Sequence, residues 1–365
     1  MPTANNWAER NLHKNDNLIR AIFYSNCGLK RLLYFYVNQM KILFIGGNGN
    51  ISWNCTVQAL KKGYEVWALN RDTGSVMRRE LPKETHKLKA DIGNPNSVKD
   101  ALKGLKFDVI ADFICFTPEQ AKRDLELYSN LCEQFIFIST ASAYQKPLTA
   151  VPITESTPLK NPYWLYSRNK ITCEEIFFNE YRERDFPITV VRPSHTYDTI
   201  IPAAMGSSGW TNSARMLNNK PVILHGDGTT LWTLTHAEDF AKAFTALLGN
   251  NAAIGHAFHI TSDEWLTWRQ ISEGVANALN APKPKFVCVP SEKIAEKNPD
   301  LGAGLLGDKT WCAIFDNSKI KKFAPGWQAI IPFSEGVKRT IDWFMENPER
   351  RKINAELDGF LDGLV

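Results

Sequence analysis

The chain has 365 residues, 44% of them hydrophobic and 22% charged, with a net charge of +4. That length supports one large or two modest domains with a real core. The basic residues are scattered, which excludes the clustered positive footprint of a dedicated nucleic-acid binder, and no apolar run approaches the roughly 20 residues that span a bilayer.

Seven cysteines without a C-x-x-C pair or a grouping with histidine predict free thiols in a reducing, cytoplasmic setting and no metal site. Residues 1–39 are polar, mixed in charge and without a cleavage signal, so they read as an N-terminal extension, with the compact protein starting at Met40. A competing expectation places an extra helix around residues 32–36.

The run KILFI at 41–45 is apolar enough for a buried parallel strand, and Gly46, Gly47 and Gly49 follow where the chain must turn. Glycines let backbone N–H groups approach a pyrophosphate, and a helix opening near Asn50 and Ile51 aims its positive end at the same place. Counted as G-x-G-x-x-G from Gly47, the third position is Ser52, which is expected to loosen helix-to-strand packing slightly. A second strand at 64–69 ends at Asn70, Arg71 and Asp72. An arginine there pairs with a 2′-phosphate, whereas an acid accepts hydrogen bonds from the ribose. The geometry favours NADP(H) over NAD(H), and Asp72 keeps the second open.

Strand and helix then alternate. A helix is expected at 95–104, a strand at 107–115, a helix at 118–133, and strands at 135–139 and 188–191. The pattern predicts an α/β fold, with a dinucleotide-binding domain over 40–195. Residues 196–365 form a smaller mixed lobe with elements returning to the sheet. Helices at 237–248, 268–279 and 337–345 and a strand at 258–260 belong to this later part. Asp239 reads as a cap or a brace.

The stretch NPYWLYSRNKITCEEIFFNEY reads as a helix capped by Asn161. It places Tyr166 and Lys170 one turn apart on one face, where an ammonium favours an ionised phenol. Bringing a tyrosine from about 10 to near neutral needs about 4 kcal/mol, more than one lysine supplies. The tyrosine therefore has to stand beside a cofactor.

The turn GGNGNIS, the strand end ISTAS, the Tyr-x-x-x-Lys in YSRNK and the later RPSHTYD together resemble the extended short-chain dehydrogenase/reductase family. More narrowly, the chain is similar to its NAD-dependent epimerase/dehydratase branch, over about residues 40–345. The resemblance implies a Rossmann-type doubly wound parallel sheet with a smaller substrate-binding lobe. It implies that Tyr166 is the acid/base, that Lys170 holds the cofactor ribose and tunes Tyr166, and that Thr140 bonds the reacting oxygen; Ser139 and Ser142 are alternative hydroxyls. Asp91 and Ile92 match positions flanking the adenine, Phe113 and Ile114 the cofactor channel, and Pro193 and His195 the nicotinamide end.

Dehydratases of this kind follow the threonine with an acidic pair, and Ala141 and Ser142 stand in those places. An epimerase or a reductase is therefore expected. Ser142, Arg215, His225 of the loop HGDG, and Trp232 match positions that hold a nucleotide-sugar substrate. His195 and Asp198 depart from the usual asparagine and glycine, which leaves a smaller carbonyl or sugar substrate open. Some atypical relatives have become RNA-binding or regulatory proteins, but these tend to lose the tyrosine or lysine kept here. The family also suggests a homodimer through the Tyr166 helix and the helix at 118–133, with Phe177 and Phe178 at the contact.

Overall fold

The computed structural model describes residues 39–71, 74–206 and 209–365, together with the backbone of 19–24 and 31–36. Those two segments, β1 (Ile19–Tyr24) and β2 (Arg31–Tyr36), pair antiparallel as a hairpin. A strand therefore occupies the place of the expected extra helix, in keeping with the aromatic-rich run RLLYFY. Asp72 lies outside the described residues.

The strands that follow are β3 (Lys41–Ile45), β4 (Glu65–Asn70), β5 (His86–Lys89), β6 (Phe107–Asp112), β7 (Cys132–Ile138) and β8 (Ile188–Pro193). After them come β9 (His195–Tyr197), β10 (Val222–His225), β11 (Leu231–His236), β12 (Ala257–Ile260), β13 (Trp265–Thr267) and β14 (Phe286–Val289). Seven of them form one parallel sheet in the order β12-β8-β7-β6-β3-β4-β5. The central strands are apolar on both faces because helices cover both.

On one face Ile42 and Phe44 meet Phe240 and Phe244 of the helix Ala237–Phe244. On the other, Leu43, Phe135 and Phe137 meet Tyr128 and Phe177 from the helices Pro118–Tyr128 and Leu165–Arg184. Each such side chain contributes roughly 2 kcal/mol of burial. Phe177 is fully buried in this core and cannot serve a dimer contact, whereas Phe178 is half-buried. No described helix is long and apolar enough to cross a membrane.

The helix starts carry their own signals. Thr117 and Gln120 make a reciprocal capping box, as do Thr267 and Gln270, and Asn94 caps Pro95–Ala101. The Tyr166 helix differs from expectation. It begins at Leu165, and Asn161 instead accepts the amides of Tyr163 and Trp164 while donating to the carbonyls of Ser142 and Gly307. Asn161 thereby ties the approach to this helix to the later lobe.

That lobe has a separate core around Trp232, Trp268, Tyr197 and Phe333. β13, β11 and β9 form one small sheet and β10 pairs with β14 in another. Two carboxylates anchor the lobe. Asp239, fully buried, accepts the amides of Ile330 and Ile331 at 2.8 and 2.7 Å, which makes it a brace; the cap of its helix is His236. Asp198 holds Arg79 through two hydrogen bonds of 3.1 and 2.8 Å and accepts Asn54 at 2.9 Å.

Candidate active site

A cleft of about 1210 Å³ opens beyond the carboxyl ends of the central strands and extends into the later lobe. β3 has β4 on one side and β6 on the other, so chain connections diverge there and leave a crevice.

The glycine turn forms one wall. Gly46 has φ +77°, a conformation that a side chain would strain, and an added Cβ would lie 2.9 Å from Ile114. Gly49 presents bare backbone opposite Arg78, whose Nη1 would be 3.2 Å from an added Cβ. Gly47 does something else. It faces away from the cleft, where a Cβ would come within 2.8 Å of Ala68 on β4, so its smallness permits helix-to-sheet packing. Ser52 does not loosen the motif; its hydroxyl accepts the Gly49 amide at 2.7 Å and donates to the Gly46 carbonyl, closing the turn.

Asn50 and Ile51 line the cleft, but the Asn50 side chain is committed to the backbone of Thr196, Asp198 and Thr199. Phe113, Ile114, Pro193 and His195 line the cleft as well. Asn70, Arg71, Asp91 and Ile92 lie outside its wall, at the ends of β4 and β5 or just beyond them. Asp91 spends one carboxylate oxygen on the Gly93 amide. The bare glycine backbone, the guanidinium of Arg78 and the size of the cleft fit a dinucleotide, with its pyrophosphate at the turn. Sequence reasoning missed Arg78 because it lies in a polar stretch with no periodic pattern.

Tyr166, Thr140 and Lys170 meet on the next part of the wall. The Tyr166 ring packs between Trp164 and Phe116, with centroids 4.8 and 6.5 Å away. Burial pushes its phenol up to about 12, partly opposed by a hydrogen bond from Thr140. Thr140 also contacts Ser142 at 3.0 Å, and Ser142 contacts Ser167 at 2.7 Å, giving a short hydroxyl chain. Ser139 is spoken for by Glu174.

Lys170 is buried and donates to the carbonyls of Cys115 and Ile138 at 2.6 and 2.7 Å. Burial holds its ammonium below the ordinary lysine value. The expectation that Lys170 tunes the phenol is not met by these contacts, because both carbonyls draw the ammonium into the wall. His195 is kept neutral at ordinary pH, its value lowered to about 3 by burial and by the positive charge of Lys309.

The far wall carries residues with no motif to announce them. Lys146, Asp308 and Lys309 line the cleft with Trp232, the last two on a π-helical turn at Leu305–Lys309. Two residues expected in the substrate site are elsewhere. Arg215 is 1% exposed and is bonded to Asp358 and Asp362, both at 2.7 Å, so its guanidinium locks the C-terminal helix Ala355–Asp362 to the lobe. His225 is buried outside the cleft wall, with its ring against Trp268.

Comparison with known proteins places these features. Over 294 residues the chain is 26% identical to the 2′-dehydrokanamycin reductase of Streptomyces kanamyceticus, covering 79% of this chain and 80% of that one. It is 25% identical over 261 residues to the chloroplast stem-loop binding protein of 41 kDa b of Arabidopsis thaliana, covering 68% of this chain and 66% of that one. The solved structure of an epimerase from Methanothermobacter thermautotrophicus shares its fold, with a TM-score of 0.71, 19% identity and coverage of 85% of this chain and 94% of the other. The family model for NAD dependent epimerase/dehydratase proteins matches residues 42–261, and the chain belongs to that family.

Proposed function

We propose that the protein is an NAD(P)-dependent reductase or epimerase acting at a hydroxyl or keto carbon of a sugar or related polyol. The observation that carries this reading is the juxtaposition of Tyr166 and Thr140 with the Gly46 and Gly49 backbone in one cleft. A bound nicotinamide supplies or accepts the hydride.

The protein's own residues handle the oxygen. Tyr166, held as the neutral phenol, donates its proton to the substrate oxygen as charge develops there, and Thr140 bonds the same oxygen and fixes its position. The hydroxyls of Ser142 and Ser167 extend the chain behind Thr140 and provide a path for proton replacement. Lys170 braces the site through Cys115 and Ile138, leaving its third N–H for a ribose hydroxyl. Arg78 suits the pyrophosphate, while Arg71 at the tip of β4 supports NADP(H). Ala141 and Ser142 leave no acid beside Thr140 to remove an α-proton, which favours epimerase or reductase over dehydratase.

The similarity to a dehydrokanamycin reductase supports the reductive reading, and the protonated phenol suits that direction. A homodimer through the helices Pro118–Tyr128 and Leu165–Arg184 is part of the same proposal. The test is incubation of the full chain with NADPH or NADH and a panel of keto sugars, and with NADP⁺ or NAD⁺ and the matching hydroxyl sugars, followed by product analysis. Cofactor consumption with reduction of a keto sugar, or inversion of a hydroxyl sugar without net cofactor change, supports the proposal. Tight, salt-dependent RNA binding without dinucleotide binding would replace it with a regulatory role.

A further inference from the structure

Asp308 attracts both Lys146 and Lys309 across the cleft, yet no two of the three form an ion pair or a hydrogen bond among the described residues. Charges drawn out of water without a direct partner are costly until further hydrogen bonds satisfy them. Lys146 is 3% exposed, and its three-donor ammonium has a single acceptor, the Tyr144 carbonyl at a marginal 3.5 Å. Lys309 is half-buried, donates to the Ala203 carbonyl at 2.7 Å and more weakly to that of Gly206 at 3.5 Å, and lies 5.2 Å from the centre of the Trp268 ring. Two ammonium groups against one carboxylate leave one positive charge at this depth. The other charged residues of the wall on this side, Lys297, Asp300 and Glu356, are exposed at the rim.

A nucleoside diphosphate would need further buried cations in the same lobe. Arg215 and Lys220 are spent on Asp358 and Asp362, and Lys297 stands exposed at the rim with the Gly363 carbonyl as its acceptor. The C-terminal helix they hold contributes Leu357 and Phe360 to the cleft beside the exposed Glu356. Trp164 and Trp232 add flat faces suited to a sugar ring.

We infer that the substrate is a compact sugar or polyol carrying one acidic group, carboxylate or phosphate monoester, seated between Lys146 and Lys309, and is not a nucleotide sugar. This rests on the proposed reading of the cleft as a reductase or epimerase site. The acidic group takes the N–H donors that Lys146 and Lys309 have left, and Asp308 accepts a hydroxyl of the same molecule. The reacting carbon then lies toward Tyr166.

The inference is tested by calorimetric titration of the full chain, saturated with NADP⁺, with glucuronate, glucose 6-phosphate, glucose and UDP-glucose as probes. An acidic sugar that binds roughly tenfold or more tightly than glucose, with that margin lost in Lys146→Met or Lys309→Met, is the expected result. Preference for glucuronate or for glucose 6-phosphate identifies the acidic group. Equal binding of glucose and both acids, tighter binding of UDP-glucose, or binding by none of the probes overturns the inference. Fluorescence titration with NADPH, which the lysine variants should leave unchanged, is the separate check on the underlying reading; loss of dinucleotide binding in the parent protein overturns that reading alone.

Discussion

Lys170 lies one helical turn beyond Tyr166, yet its ammonium bonds the carbonyls of Cys115 and Ile138 and leaves the phenol to Thr140. In the proposed reaction the two residues divide the work: Lys170 shapes the wall, and Tyr166 carries the proton.

Replacing Tyr166 by Phe removes the proton donor and keeps the ring between Trp164 and Phe116. Turnover should fall by about 10²- to 10⁴-fold. NADPH affinity, read by fluorescence, should stay within about threefold, because a loss of roughly 0.6 kcal/mol is all the missing hydroxyl accounts for in binding.

Lys170→Met should separate function from stability. The lysine's folded pKa lies below its unfolded one, so its charged form is penalised on folding at neutral pH and that cost is relieved only as pH rises through the folded value. Removing the charge offsets the two carbonyls left without donors. Thermal melts should shift by no more than about 4 °C while turnover drops at least about a hundredfold. A large drop in melting temperature would show that the lysine is mainly structural.

Asp198 sits where relatives are expected to have glycine, and it joins Arg79 and Asn54 to the loop after β9. Asp198→Ala leaves that half-buried guanidinium without its acid. Urea denaturation should show a loss of about 2–3 kcal/mol.

The two arginines near the dinucleotide should differ. Arg78→Ala is expected to weaken NADPH and NADH alike, by roughly tenfold, because it faces the glycine turn that both share. Arg71→Ala should weaken NADPH roughly tenfold and leave NADH unchanged. Paired calorimetric titrations read both outcomes.

Affinity for a carboxylate sugar, itself ionised throughout, should fall as pH rises from 6 to about 9. Below about 6 Asp308 gains a proton and the cluster becomes more positive; above about 8 Lys309 loses its proton and the attraction weakens. The neighbouring groups do not reverse this sign. His195 and His225 are held near 3 and stay neutral, Tyr166 is near 12 and stays protonated, and Lys146 is lowered by burial in the same direction as Lys309. Calorimetry across this range checks the trend.

The glycine turn, the alternating strands and Tyr166 with Lys170 were readable from local pattern, since each depends on residues close in sequence. β5 was not, because HKLK is an edge strand with mostly exposed polar residues and gives no apolar alternation. The partners of Arg215 lie more than a hundred residues away on the C-terminal helix, so the family resemblance suggested a substrate ligand where the fold makes an ion pair. Asp308 and Lys309 interrupt the apolar, glycine-rich run LGAGLLGDKTW, which is the one signal that could have drawn attention to them.

The central claim is that the cleft binds a nicotinamide dinucleotide on the glycine turn. It is tested most directly by titrating the full chain and its Gly49→Val variant with NADPH and NADH and following nicotinamide fluorescence. The account predicts saturable binding to the parent, tighter for NADPH, and loss of both in the variant, whose melting curve remains cooperative. Absence of binding to the parent, or undiminished binding to a folded Gly49→Val protein, would contradict it.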